Sequence, residues 1–565
     1  MTTTSTTEIC NATLAFGSPI FADGDTRLLG QAQGAAAAWK QAVSRQGLHQ
    51  ALSSTAGAFS LAMHDLMPGC TALAVDRFAI KSLCYRVVGN ELRFAERADE
   101  LAQGADIDPQ AIFDYLYFHC IPSPRTIFKD VFRLPPGHCA VFENGKLTVA
   151  PYWVPEFTEP QGAVSFDALK GEFRSLLRDA VASQLDGGKP ACFLSGGTDS
   201  STVAGMIREA TGKPAATYSI GFEAEGYDEM AFARLAAKHF GSEHHEYYVT
   251  PADLVRSIGD VAGSYDQPFG NSSALPAYYC ALAARKDGAT SILAGDGGDE
   301  LFGGNSRYAK QRVFGWYGLL PAALRRGVLE PFFELPTVAK TPGLKKGSSY
   351  IEQAKVPMPD RLQMYNLLLR LGTADVLTPE FLARVDTGSP ASQQREVWAQ
   401  ARSPDELNRT LAYDWRYTLS ESDLPKVCGT TRLAGVEVGF PFLDQRLLDF
   451  SLGLPADYKL KGLKLRWFFK EALRGFLPDQ IITKKKQGFG LPFGVWLMKN
   501  PALKALAVDS LGSLSTRGIV RPAFIQQLLA QRLPEHPGYY GEMVWILMML
   551  EQWLQRHAAG YRLQH

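Results

Sequence analysis

Residues 193–202 read FLSGGTDSST. The apolar and small residues Ala191, Cys192, Phe193 and Leu194 lead into Ser195, Gly196, Gly197, Thr198, Asp199, Ser200 and Ser201. TVAGMIREA follows, with its apolar residues at helical spacing. The stretch predicts a buried strand, a glycine turn and a helix start. Paired glycines let the backbone turn tightly and approach a ligand. Free N–H groups and the positive end of the dipole at a helix N-terminus favour an anion. The hydroxyls of Ser195, Thr198, Ser200 and Ser201 add donors, so the expected ligand is a phosphate. Asp199 is misplaced in an anion site unless it faces a cation, and Mg²⁺ takes one or two carboxylates together with phosphate oxygens. Taken alone, the stretch also fits a Ser/Gly turn with an ordinary helix cap.

A second stretch repeats the pattern. SILAGDGGDELFGG, residues 291–304, again runs from an apolar strand into glycines and acids, here Asp296, Asp299 and Glu300. Between and around the two stretches, strand and helix alternate: AATYSIGF, DEMAFARLAAKHFG, EHHEYYV, PADLVRSIGDVAG and ALPAYYCALAARKDG. Such alternation predicts a parallel sheet covered on both faces. Ligands of such sheets lie at the carboxyl ends of the strands. Two loops there, each with an acid and paired glycines, would put Asp199 and Asp299 on one Mg²⁺ bound to a polyphosphate.

Residues 1 to about 105 read as short strands with one helix, GQAQGAAAAWKQAVSRQG. A further helix (PQAIFDYLYFHC) and a hairpin with Asn144-Gly145 at its turn follow. The polar, Pro-containing stretch at 154–165 predicts the boundary between a domain at 1–153 and one at 166–565. From about 305 onward the pattern is helical with loops. Lys+Arg and Asp+Glu are equal at 58 each in 565 residues, which gives no reason to expect nucleic acid. Apolar runs such as VWILMML are too short to span a membrane, and MTTTSTTEIC is no secretory signal. The eight cysteines are scattered, as in a cytoplasmic protein with reduced thiols.

SGGTDSS resembles the pyrophosphate loop of N-type ATP pyrophosphatases. Together with DQPFGNSSALPAYY (266–279), GDGGDELFGG, GVEVGFPFLDQRLLDF (435–450), YKLKGLKLRWFFKEAL (458–473) and KKKQGFGLPFGVWL (484–497), it resembles the asparagine synthetase family. AGAFSLAMHD, AVDRFAIKSLCYR and PSPRTIFKDVFRLPPGH resemble that family's glutaminase-type domain. The resemblance implies a mixed α/β architecture: a degenerate, β-rich, Ntn-type glutaminase-like domain, then a Rossmann-like ATP pyrophosphatase domain with a helical C-terminal region. It implies adenylation of a carboxylate by ATP, release of pyrophosphate, and attack by an amine. Carried over, Ser195, Gly196, Gly197, Thr198, Asp199, Ser200 and Ser201 would hold the pyrophosphate. Asp199 and Asp299 would bind Mg²⁺, and Leu194, Ser219, Ile220 and Gly295 would border adenosine.

The sequence departs from the family at several points. Asp296 stands where asparagine synthetases have Glu and β-lactam synthetases have Tyr; as an acid it would take or orient the amine's proton. Arg466 aligns with a catalytic Lys. It keeps the charge but is a poor proton donor, so electrostatic stabilisation is expected of it; alternatively Lys464 or Lys461 does this work and Arg466 is a surface partner. Glu421 is either a second acid paired with Asp296 or part of a solvated helix face. Cys428-Gly429 replaces the usual Asp-Arg. Position 2 is Thr2, where the family's glutaminase needs Cys, and Cys10 would be terminal only after processing. The expectation is a chain without glutaminase activity.

Three functions follow. The preferred one is a ligase whose amine comes from the substrate, as in lasso-peptide macrolactam cyclases, with a protease and a leader-binding protein as partners. The second is an asparagine synthetase or amidotransferase using ammonia or glutamine. The third is a non-catalytic ATP-binding homologue. In the first two the substrate is a peptide or amino-acid carboxylate, and pairing into a homodimer is expected from the family.

Overall fold

The computed structural model describes residues 13–64, 69–158, 164–224, 226–335, 337–338, 341, 344–484 and 490–563. Thr2 and Cys10, and residues 485–489 of the 484–497 stretch, lie outside the described residues. Five antiparallel strands form the N-terminal sheet in the order β1 (Leu14–Gly17), β2 (Phe59–Met63), β3 (Cys70–Val75), β4 (His138–Glu143) and β5 (Lys146–Pro151). Side chains alternate between faces. Phe59, Leu61, Met63 and Ala74 meet Trp39 and Leu52 of the helical layer, whereas Ala62, Leu73 and Val75 face a core with Leu83 and Tyr85. Tyr85 belongs to a three-stranded second sheet of Cys84–Val88, Glu91–Ala95 and Phe132–Arg133. The β4–β5 hairpin turns at Asn144 and Gly145, at φ 51° and 75°, as the Asn-Gly pair predicts. The single predicted helix, residues 30–47, is broken at Gly34 (φ 90°) between Gly24–Gln33 and Ala35–Gln46, and a further helix, Leu48–Ser54, follows Gly47 (φ 78°).

The five-stranded sheet of the following region is parallel throughout. Its strands are β6 (Ala191–Phe193), β7 (Ala216–Phe222), β8 (Glu243–Val249), β9 (Ser291–Leu293) and β10 (Glu437–Gly439), in the order β8-β7-β6-β9-β10. Helices Phe166–Ser183, Thr198–Thr211 and Met230–Phe240 contribute to one core, and Ala274–Lys286 covers the other face. β10 is an addition to the predicted strands: GVEVGF lies within the helical region but pairs Val438 with Ile292. The chain leaves β6 toward β7 on one side and, later, β9 toward β10 on the other. Their carboxyl-end loops diverge there and open a crevice. Among the described residues no helix is long and apolar enough to cross a membrane.

The two regions share one core. Helix Pro109–Phe118 packs with Pro251–Ser264 and the C-terminal helix Pro537–His557, and Tyr115 Oη donates to the Ile546 carbonyl at 2.8 Å. Arg133 and Asp266 form an ion pair at 2.6 Å with 13% of each side chain exposed, and Asp266 also accepts from the Ala98 N–H. The cores therefore merge, although the sequence boundary near 154–165 is clear in composition.

Candidate active site

The loop after β6 begins with a tight turn. Gly196 has φ 71°, and a Cβ there would stand 2.4 Å from the Ala233 nitrogen, so only glycine fits. Gly197 caps helix Thr198–Thr211 without a side-chain hydrogen bond, and residues 197–200 of this helix start border the crevice. Within the loop, Ser195 N–H donates to Ser200 Oγ at 3.1 Å, and the two hydroxyls are 3.1 Å apart. The loop after β9 approaches closely. A Cβ on Gly295 would lie 2.9 Å from the Ser200 nitrogen, and one on Gly298 would lie 2.2 Å from Asp199 Oδ1. The glycines of the two motifs thus hold the two loops in contact.

Between the loops lies a cleft of about 900 Å³. Leu194, Ser195, Gly197, Thr198, Asp199, Ser200, Ile220, Gly295, Asp296, Asp299 and Arg466 all line it. Phe193, Pro276 and Cys280 add apolar surface beside Leu194 and Ile220. Three of the predicted residues stand behind this wall. Gly196 packs against helix Met230–Phe240, Ser201 is fully buried, and the Ser219 hydroxyl donates to the Leu194 carbonyl. These three shape the loop and strand and do not line the cleft.

Arg466 is buried, with 4% exposed, so it is no surface partner. Its Nη1 donates to Thr198 Oγ1 and Asp199 Oδ2, each at 2.8 Å, and lies 2.9 Å from Asp299 Oδ1. Its Nη2 donates to Asp199 Oδ1. Burial pulls its pKa down, but Asp199 and Asp299 outweigh this and hold it above the ordinary arginine range. Lys464 also lines the cleft, while Lys461 lies over the Trp467 ring at 3.6 Å. The donor set expected for Mg²⁺ is therefore engaged by a guanidinium: both oxygens of Asp199 and one of Asp299 already meet Arg466. Among the described residues no group of three or more His, Cys, Asp or Glu forms a metal-binding cluster.

Asp296 lies deeper. Its carboxyl pKa is pushed up to about 6 by burial, with Lys426 opposing and Asp423 and Asp199 adding to the rise. Lys426 Nζ is 3.8 Å from Asp296 and 2.8 Å from Asp423. Asp423 and Lys426 were not among the predicted residues; an acid and a lysine three apart at a helix start, in SDLPK, were the available signal. Glu421 is not where the pairing with Asp296 requires it, nor on a solvated face. It is buried, accepting from Ser123 Oγ at 2.7 Å and meeting Arg416 Nη1 at 3.0 Å. The physical reason is a π-helical stretch, Trp415–Asp423, in which Leu424 N–H reaches back to the Leu419 carbonyl. The wider turn changes which side chains share a face, so Glu421 meets the N-terminal region while Asp423 meets the cleft. Cys428, in the other departure, faces the Ile80 carbonyl at 4.0 Å.

Residues 172–555 match the family described as asparagine synthase, and residues 38–153 match the glutamine amidotransferase domain. Asparagine synthetase (glutamine-hydrolyzing) 1 of Bacillus subtilis is 25% identical over 524 residues, covering 91% of this chain and 79% of its own. A putative asparagine synthetase (glutamine-hydrolyzing) 2 of Methanocaldococcus jannaschii is 33% identical over 277 residues, 48% of this chain and 53% of its own. Amidase chyE of Penicillium rubens is 26% identical over 533 residues, 84% of this chain and 77% of its own. With an N-terminal amidotransferase-type domain, two glycine-bearing loops meeting at the switch point of a parallel sheet, and a family match over most of its length, the chain belongs to the asparagine synthase family of ATP-dependent amide-forming ligases.

Proposed function

We propose that the cleft adenylates a substrate carboxylate and then joins it to an amine carried by the substrate itself, as in a peptide macrolactam cyclase. The loop N–H groups of residues 197–200 and the Ser195 and Thr198 hydroxyls would grip the leaving pyrophosphate, with Arg466 adjoining them. Leu194, Ile220 and Gly295 would border adenosine. A carboxylate oxygen attacks the α-phosphorus of ATP and pyrophosphate leaves. The amine nitrogen then attacks the acyl carbon, the bond to the phosphate oxygen breaks, and AMP leaves. The proton lost by the amine passes to the Asp296 carboxylate, beside Lys426 and Asp423. Preorganised donors around the developing charge supply the main rate enhancement.

What weighs against glutamine as the source of the amine is the state of the described thiols in the N-terminal region. Cys70 is buried, and burial pushes the Cys84 thiol up to about 12 and the Cys120 and Cys139 thiols up as well. The thiolate is the nucleophilic form, and burial disfavours it at Cys84, Cys120 and Cys139. Asparagine formation from aspartate is the second reading, favoured by the names of the bacterial and archaeal relatives. The test is pyrophosphate release from ATP with aspartate and ammonia, with aspartate and glutamine, and with peptides bearing a free N-terminus and an internal Asp or Glu. Release confined to peptides supports the cyclase; release with aspartate and ammonia, with asparagine as product, refutes it.

A further inference from the structure

We infer that Arg466 is a built-in cation that takes the place of a directly coordinated metal between Asp199 and Asp299. The inference rests on reading this cleft as the nucleotide site. The guanidinium meets three groups at once: both carboxylates and the Thr198 hydroxyl. An ammonium is a point charge, whereas the planar fork of Arg spans separate acceptors. The position is fixed from several sides. Arg466 N–H donates to the Gly303 carbonyl at 3.2 Å, its backbone is left-handed at φ 55°, and its Cζ lies 4.0 Å from the centre of the Phe469 ring. The surrounding backbone is cleared for it. A Cβ on Gly298 would come within 2.9 Å of Arg466 Nη2, and one on Gly304 within 2.7 Å of its Cδ and 1.7 Å of Asp299 Oδ1.

Mg²⁺ demands near-octahedral oxygen ligands at about 2.0–2.1 Å. A metal on these same oxygens would stand beside the guanidinium, whose nitrogens lie 2.8–2.9 Å from them, cation against cation in a site where Arg466 is buried. The two aspartates therefore position a protein cation, and a divalent metal enters with the nucleotide, on its phosphates. The cation stays charged at every working pH and cannot return a proton. Proton transfer from the amine is left to the Asp296 side of the cleft.

The test is Mn²⁺ uptake by the nucleotide-free protein, read from the electron paramagnetic resonance of the free ion. Arg466→Met exposes two adjacent carboxylates. It is expected to bind Mn²⁺ more than about tenfold more tightly than wild type, and adding Asp299→Asn is expected to abolish the gain. Wild-type affinity within tenfold of the variant's overturns the inference. A control keeps the arginine in place: wild type and Asp299→Asn are expected to take up Mn²⁺ alike, and a tenfold loss in Asp299→Asn equally overturns it. Binding of a fluorescent ATP analogue to wild type is measured in parallel. Its failure, with and without Mn²⁺, refutes the nucleotide reading and not the arginine's place.

Discussion

Lys426 lies between Asp296 and Asp423, and burial pushes the Asp296 carboxyl up to about 6. As acceptor of the amine's proton it must be ionised. The amide-forming step should therefore rise with pH through about 6 and level off above it, measured as product formation at saturating ATP. Asp296→Asn is expected to slow product formation by about 10²–10⁴-fold, the usual worth of a positioned base, while ATP–pyrophosphate exchange survives. The positive charge of Lys426 holds Asp296 down. Lys426→Met should accordingly move the acidic limb of the pH profile upward, whereas a lysine of purely structural role would leave the limb in place. Lys470 borders the same cleft; burial and the neighbouring Arg466 keep its pKa below the ordinary lysine range.

At the scale of elements, two loops and the glycines that let them touch make the site. Gly298→Ala would drive a methyl into Asp199 and Arg466. We expect pyrophosphate release to fall at least about a hundredfold, since a shift of about 1 Å costs that much, with the circular dichroism spectrum unchanged. This part of the site was legible in the sequence because strand, turn and helix start are adjacent in SGGTDSS and GDGGDE, where local rules apply. Other parts were not. Arg466 reaches Asp199 across 267 positions, which no local pattern encodes. Glu421, expected either to pair with Asp296 or to lie on a solvated helix face, does neither, because the π-helical stretch changes its face. β10 has only three residues, too few for alternation to be visible. The Ala-rich helix was read as continuous because its apolar spacing runs through Gly34, where the backbone turns.

Across the whole molecule, the N-terminal and synthetase-type regions interlock through buried polar contacts. Asp266→Asn leaves Arg133 buried without its counter-charge, and loss of one partner of such a pair costs about 3–5 kcal/mol. The expected result is an earlier urea midpoint, with tryptophan fluorescence and far-ultraviolet circular dichroism moving together because the core is shared. Separate transitions for the two regions would contradict that description. The most direct test of the central claim is mass spectrometry of a peptide with a free N-terminus and an internal Asp or Glu, incubated with ATP and the purified chain while pyrophosphate is assayed. The account predicts a peptide lighter by one water for each pyrophosphate released, and neither change with Asp199→Ala. Asparagine made from aspartate and ammonia, with every peptide left intact, would contradict it.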